Sequence, residues 1–296
     1  MAVETIAERH TARQVALARE TSLRLRELWT LVEPARIAGS WARLLPSVTA
    51  ALSTSQATAA AAAGVYVDDV LDASGVTVSS AGRINPASFA GIASDGRPLA
   101  SLMSRPAITA LEQIKGGATT GQALASGRYM LDLITRTQVA DAGRVAVGTA
   151  VAARPQVTGY VRMIVGKTCS RCLILAGRRY RWNAGFNRHP RCDCRHVPFA
   201  EDVPGDIQTN PKAYFDSLDR AGQDELLGKD GAEAVRSGAD IAKVVNARRG
   251  IQTADGRLYT REAAGRRPRL MPEQIFRDAK DRDDAIRLLR LHGYIT

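Results

Sequence analysis

All four cysteines of the 296-residue chain lie between Tyr160 and Phe199, as Cys169-x-x-Cys172 and then His189-Pro-Arg-Cys192-x-Cys194-Arg-His196. A thiolate pair two residues apart sets both sulfurs on one tight turn. A second group about twenty residues later can close a tetrahedral shell around a metal ion, for which zinc is the natural candidate. An extended Cys-x-Cys points its two side chains to opposite faces, so one of Cys192 and Cys194 can fall outside the shell, and His189 is then the alternate ligand. The expected structural zinc site is therefore Cys169, Cys172, Cys192 and Cys194, with His189 in reserve. Two other chemistries compete with it. The thiols can be small buried groups with His189 and His196 merely hydrogen-bonded, or Lys167, Arg171 and Arg178 can lower a thiol pKa and make Cys169 a redox nucleophile. No thioredoxin-like βαβ pattern surrounds the motif.

Between Tyr160 and Ala200 nine Lys or Arg residues stand against the single Asp193, so much of the net charge of +11 is concentrated here. Arginines interleaved with Tyr180, Trp182 and Phe186 can serve phosphates and bases, which makes Arg179, Arg181, Trp182 and Arg188 candidates for non-specific nucleic-acid contact. The same arginines can instead offset thiolate charge or form a solvated face. No base-reading motif is present. Hydrolytic chemistry has fewer parts to draw on. Ser170 or Cys169 could act as nucleophile with His189 as base, but no nucleophile elbow appears. A zinc deaminase would need a His-x-Glu ahead of its cysteines, which this chain lacks.

Such loops need a scaffold, and the composition supplies a helical one. Hydrophobic residues make up 45% of the chain and aromatic residues 5%, with abundant alanine, which favours helices packed through small side chains. The expected class is α+β and predominantly helical, with long helices around a small β/loop module stapled by the Cys/His cluster. Ile6 to Val32 carries Val15, Ala18, Leu25, Trp29 and Val32 at helical steps, a seam interrupted by Ser22. Pro34 and Pro46 stand where helices can begin, and a second helical run passes through Ala57 to Ala63 towards Leu71. Turn signals from Ser74 to Pro106 mark a hinge or arm. Helicity returns over Ala107–Ile114, stops at Gly116-Gly117, and resumes from Thr119 or Thr120 to near Ala153, with Leu124, Tyr129, Leu131, Leu133, Ile134 and Val139 on its buried side. Val161–Val165 reads as a short strand. Beyond Phe199 come short helices separated by Gly222, Gly228, Gly231 and Gly238, a basic loop at Arg266–Arg269, and a closing helix near Asp281 to His292. No stretch is apolar for long enough to cross a bilayer, and Met1 to Glu8 lacks a secretion-signal layout, so synthesis in the cytoplasm is expected.

A long helix containing Thr135-Arg136-Thr137, a short strand, Cys169-x-x-Cys172, Ala176-Gly177-Arg178-Arg179-Tyr180, His189-Pro-x-Cys-x-Cys194 and Pro198 together resemble the MuF-like minor head proteins of tailed bacteriophages. The match runs from Ile134 to Phe199; Val161–Thr168 stands where that group often has a tryptophan and an aspartate. The run from Tyr214 to Gly250 resembles C-terminal extensions of actinobacterial phage members of the head morphogenesis family. The helical and turn patterns, with this resemblance, divide the chain into an N-terminal helical region (1–73), a loop-rich hinge or arm (74–106), a MuF-like core with the Cys-rich module (107–200) and a C-terminal short-helix extension (201–296). The resemblance implies a virion protein at the capsid interior or portal vertex, acting in head assembly or DNA packaging beside portal and major capsid or scaffold proteins. The competing class is a capsid maturation protease.

Overall fold

The computed structural model describes residues 2–164, 168–182, 195–199, 210–247, 251–254, 257–260, 269–270 and 272–291. The chain is α+β and predominantly helical, and it divides into two compact units: Met1–Val165 with Arg179–Ile207, and Gly166–Arg178 with Gln208–Thr296.

Six helices build most of the first unit: α1 (Val3–Trp29), α2 (Ile37–Ala61), α3 (Ala63–Ala73), α4 (Leu99–Met103), α5 (Arg105–Lys115) and α6 (Thr120–Ala152). The ends of α6 are those its sequence signals set. Thr119 and Gln122 form a reciprocal capping box, and Gly117, at φ +90°, breaks the chain between α5 and α6. Pro34 opens a short 3-10 turn before α2, whereas Pro46 lies inside α2 rather than at a helix start. Pro46 and Ala42 are both exposed, so the carbonyl that loses its helical partner can turn to solvent.

The buried stripe of α1 includes His10, Gln14, Ala18, Thr21, Ser22, Leu25 and Trp29. Val15 sits one residue off this stripe and is 45% exposed, contrary to the expected seam. On α6 Leu131, Ile134 and Val139 are buried as expected, while Tyr129 is 58% exposed. Its first half also buries Ala123, Gly127, Asp132, Thr135 and Gln138, small or polar residues that let α1 and α5 come close. A Cβ on Gly127 would lie 2.5 Å from the Trp29 ring and 2.8 Å from the Pro106 carbonyl oxygen, so only glycine fits that crossing. Trp29 and Trp41 meet edge to face at 4.9 Å, and their indole N–H groups donate to the carbonyls of Leu124 and Met103.

The segment expected as a hinge or arm is fastened to this body. The buried amide of Gln56 donates to the Ile92 carbonyl and accepts from the Gly91 N–H, both at 2.9 Å, and Ser94 N–H donates to Gln138 on α6. Leu99 and Met103 are fully buried. Turn residues set the path of the segment, and its few apolar side chains hold it down.

Asp132 is a buried charge of the α1–α6 contact. Its carboxylate accepts from the Ser22 hydroxyl and from Arg136, and Arg26 pairs with it at 2.9 Å. Burial alone would raise its pKa, but the Ser22 and Arg136 hydrogen bonds and the charges of Arg136 and Arg26 outweigh that and hold it below the ordinary 3.8. A carboxylate with a depressed folded-state pKa stabilises the fold above its unfolded-state value and loses that contribution as pH falls through the folded-state value. The stability gap between wild type and Asp132→Asn should therefore be constant near neutrality and shrink below about pH 4. Urea midpoints of both proteins across that range measure it, and a gap that stays constant to pH 2 refutes the assignment.

The second unit contains α7 (Ser170–Leu173), α8 (Pro211–Ser217), α9 (Arg220–Arg236), α10 (Ile241–Ala247), α11 (Pro272–Asp278) and α12 (Arg282–Leu291). Gly222 and Gly231 lie within α9 rather than between helices. Gly228, at φ +68°, kinks it, and Gly238, at φ +96°, follows its end. Strands Ile251–Ala254, Arg257–Thr260 and Arg269–Leu270 form a three-stranded antiparallel sheet, whose last strand takes in Arg269 of the expected basic loop. Among the described residues no helix is long and apolar enough to cross a membrane.

Candidate functional site

The module that carries the expected chemistry is built on a sheet in the order β2 (Arg179–Arg181), β1 (Gly159–Met163), β3 (Arg195–Phe199). All five residues of β1 are buried, as suits a central strand covered on both faces, and the strand begins two residues before the expected Val161. Tyr160 pairs with Tyr180 on one side and Pro198 on the other. Pro198 is tolerated because β3 is an edge strand. A Cβ on Gly159 would lie 2.1 Å from the Tyr180 carbonyl oxygen, so the close pairing of β1 with β2 requires glycine there.

An aromatic pile in the sheet is joined by one hydrogen bond to a second ring pair on the helices. Tyr180 stacks on Tyr160 at 5.5 Å, and Tyr160 meets His196 at 4.3 Å. The Tyr66 hydroxyl donates to the His196 carbonyl at 2.9 Å, and the Tyr66 ring stacks on His10 at 4.0 Å. That hydrogen bond links the ring pair of α1 and α3 to the sheet, and Val197 and Met163 enter the same apolar cluster as Ala7, Val67 and Val147. Sequence reading had placed Tyr180 among arginines and His196 among the cysteines. Tyr66 and His10 had no local signal, because their partner lies 130 residues from Tyr66.

Cys169 caps α7: its sulfur accepts from the Cys172 N–H at 3.5 Å, so both cysteines share one turn as their spacing requires. Cys169 is exposed and Cys172 buried. Ser170 opens α7 beside them. Among the described residues no cluster of three or more His, Cys, Asp or Glu could hold a metal. The other expected ligands, Cys192, Cys194 and His189, lie outside the described residues, as does His189 in its alternative role of base for Ser170 or Cys169.

Of the candidate nucleic-acid contacts, Arg179 and Arg181 are both exposed and stand two apart on β2, hence on one side of that strand, and Trp182 is 52% exposed. The Arg179 guanidinium lies 5.2 Å over the Phe199 ring, a contact of about 0.5–1 kcal/mol at an exposed site. Arg188 lies outside the described residues.

No curated protein and no solved structure matches the chain. A family model described as VG15 protein matches residues 1–221. That span takes in α1 to α6, the three-stranded sheet with its aromatic pile, the Cys-x-x-Cys turn and α8. The chain accordingly belongs to the VG15 protein family, a family associated with phages.

Proposed function

We propose that the protein is a virion structural protein of the MuF-like minor head type, acting near the portal in capsid assembly or DNA packaging. The observation that carries this reading is membership of a phage-associated family over residues 1–221. The cysteine and His-Pro pattern from Cys169 to Cys194 supports the narrower assignment. Co-expressed with its cognate portal, scaffold and major capsid proteins, the chain should enter particles at a few copies each, as quantified by mass spectrometry of purified heads. Heads that assemble without it, or that contain it at the copy number of the major capsid protein, would refute the reading.

Two features belong to the same proposal. The first is a structural zinc held by Cys169 and Cys172 with two of Cys192, Cys194 and His189. The exposed Arg179, Arg181 and Trp182, with Arg188, would give non-specific contact with packaged DNA. Each phosphate contact releases counterions, so the log–log salt slope of DNA affinity falls by about 0.9 per contact removed. Replacing Arg179, Arg181 and Arg188 with alanine should flatten that slope by about 2 to 3, equally on unrelated duplexes. An unchanged slope in a variant that melts like wild type would leave these arginines a solvated face.

A further inference from the structure

Between the N-terminal part of α1 and α3 runs an open groove of about 640 Å³. Ile6 and the Tyr66 ring lie at its floor, and Val65, 65% exposed, stands at its lip. One wall carries Arg9 and Arg13, one turn apart on α1, and the other carries Asp69 and Asp72, three apart on α3. Among the described residues no ion pair joins the two walls or engages any of these four side chains. A Cβ at Gly64 would meet nothing within 4 Å, and Ala62 and Ala73 keep the α3 wall low.

These features select the occupant. Both flanking helices satisfy their own backbones, so an extended peptide laid here would find no strand edge to pair with its N–H and C=O groups, whereas a helix arrives with its backbone already bonded. A helix seated between two others covers an apolar floor with its own apolar stripe, here over Ile6 and Val65. The walls carry opposite charges, so the occupant must present acidic residues along one border of its stripe and basic residues along the other. A nucleic acid or an anionic membrane would meet the repulsion of Asp69 and Asp72. We propose that this groove is the docking site for an amphipathic helix of another protein, its apolar stripe bordered by acidic side chains on one edge and basic side chains on the other.

Three labelled synthetic helices of about twenty residues test this, sharing one leucine stripe and differing only in its borders: acidic and basic, acidic on both edges, or basic on both. Fluorescence anisotropy with the full chain at about 150 mM salt should show the mixed helix binding at least about tenfold more tightly than either other. Val65→Arg should abolish that preference. The pair Asp69→Lys and Asp72→Lys should move it to the doubly acidic helix, a gain that an unfolded variant cannot give. The control pair Glu20→Lys and Glu27→Lys adds the same charge elsewhere on α1 and should leave the mixed helix preferred. Equal binding of all three helices, indifference to Val65→Arg, or the same shift in the control pair overturns the proposal. Self-association of the chain that Val65→Arg removes would assign the groove to a second copy and overturn it as well.

Discussion

Cys172→Ser should strip the chain of metal: wild-type protein purified under reducing conditions should carry close to one zinc per molecule by elemental analysis, and the variant almost none. Cys169 and Cys172 share a single turn of chain, and the Cys172 N–H already donates to the Cys169 sulfur, so both thiols stand on the one turn that zinc ligation requires. A structural zinc in a small module contributes on the order of 10 kcal/mol of folding free energy, far more than burial of one thiol. Its loss should therefore open the chain from Arg178 to His196 to limited proteolysis. If Cys172 is only a small packed side chain, Cys172→Ala should cost about 1 kcal/mol and leave protease resistance unchanged. Wild-type protein without metal, or a Cys172→Ser variant that keeps it, refutes the zinc site. Parallel losses in Cys192→Ser, Cys194→Ser and His189→Ala would identify which of the three complete the shell.

The parts of the fold that sequence made legible are those whose determinants are local. The start of α6 rests on Thr119, Gln122 and the Gly116-Gly117 break, all within a few residues of one another, and the break between α5 and α6 could be read from them. The cysteine turn was legible for the same reason. What escaped depends on partners distant in sequence. Ser22 looked like a gap in the α1 seam because its reason, Asp132, lies 110 residues away. Val15 looked buried because the true stripe of α1 is half polar, with Gln14 donating to the Ala59 carbonyl and His10 stacked on Tyr66. Ser74 to Pro106 looked like an arm because its turn residues are local, whereas the Gln56 amide that holds it is on another helix. The candidate site divides along the same line. The Cys169–Cys172 turn is a short-range object, but the aromatic pile and the ring pair hydrogen-bonded to it join α1, α3 and three strands, and no spacing rule connects His10 to Tyr180.

Trp41→Ala should produce the largest loss of stability of any single core change in the first unit. The side chain is 1% exposed and among the largest fully buried ones. It packs against Trp29 at 4.9 Å, and its indole N–H donates to the Met103 carbonyl at 2.8 Å, so it joins α2 to α1 and to the end of α4. Truncating a buried tryptophan to alanine costs about 3–5 kcal/mol in lost transfer energy and residual cavity. The Met103 carbonyl would also lose its donor, and the edge-to-face pair, worth about 0.5–1.5 kcal/mol, would be gone. Trp41→Phe separates these terms, because it keeps much of the apolar volume and removes the N–H, and it should fall between wild type and Trp41→Ala. The chain has three tryptophans, Trp29, Trp41 and Trp182, and all lie in the first unit, so Trp29 and Trp182 still report that unit's unfolding by fluorescence in both variants. With a urea m-value of about 2 kcal/mol per molar, the midpoint for Trp41→Ala should drop by roughly 1.5–2.5 M. A drop under about 0.5 M would mean that the Trp29–Trp41 contact is not the centre of this core. Combining Trp41→Leu with Trp29→Leu, which remove the rings, in a double-mutant cycle should leave a coupling of about 0.5–1.5 kcal/mol, the signature of the ring pair itself rather than of two independent cavities.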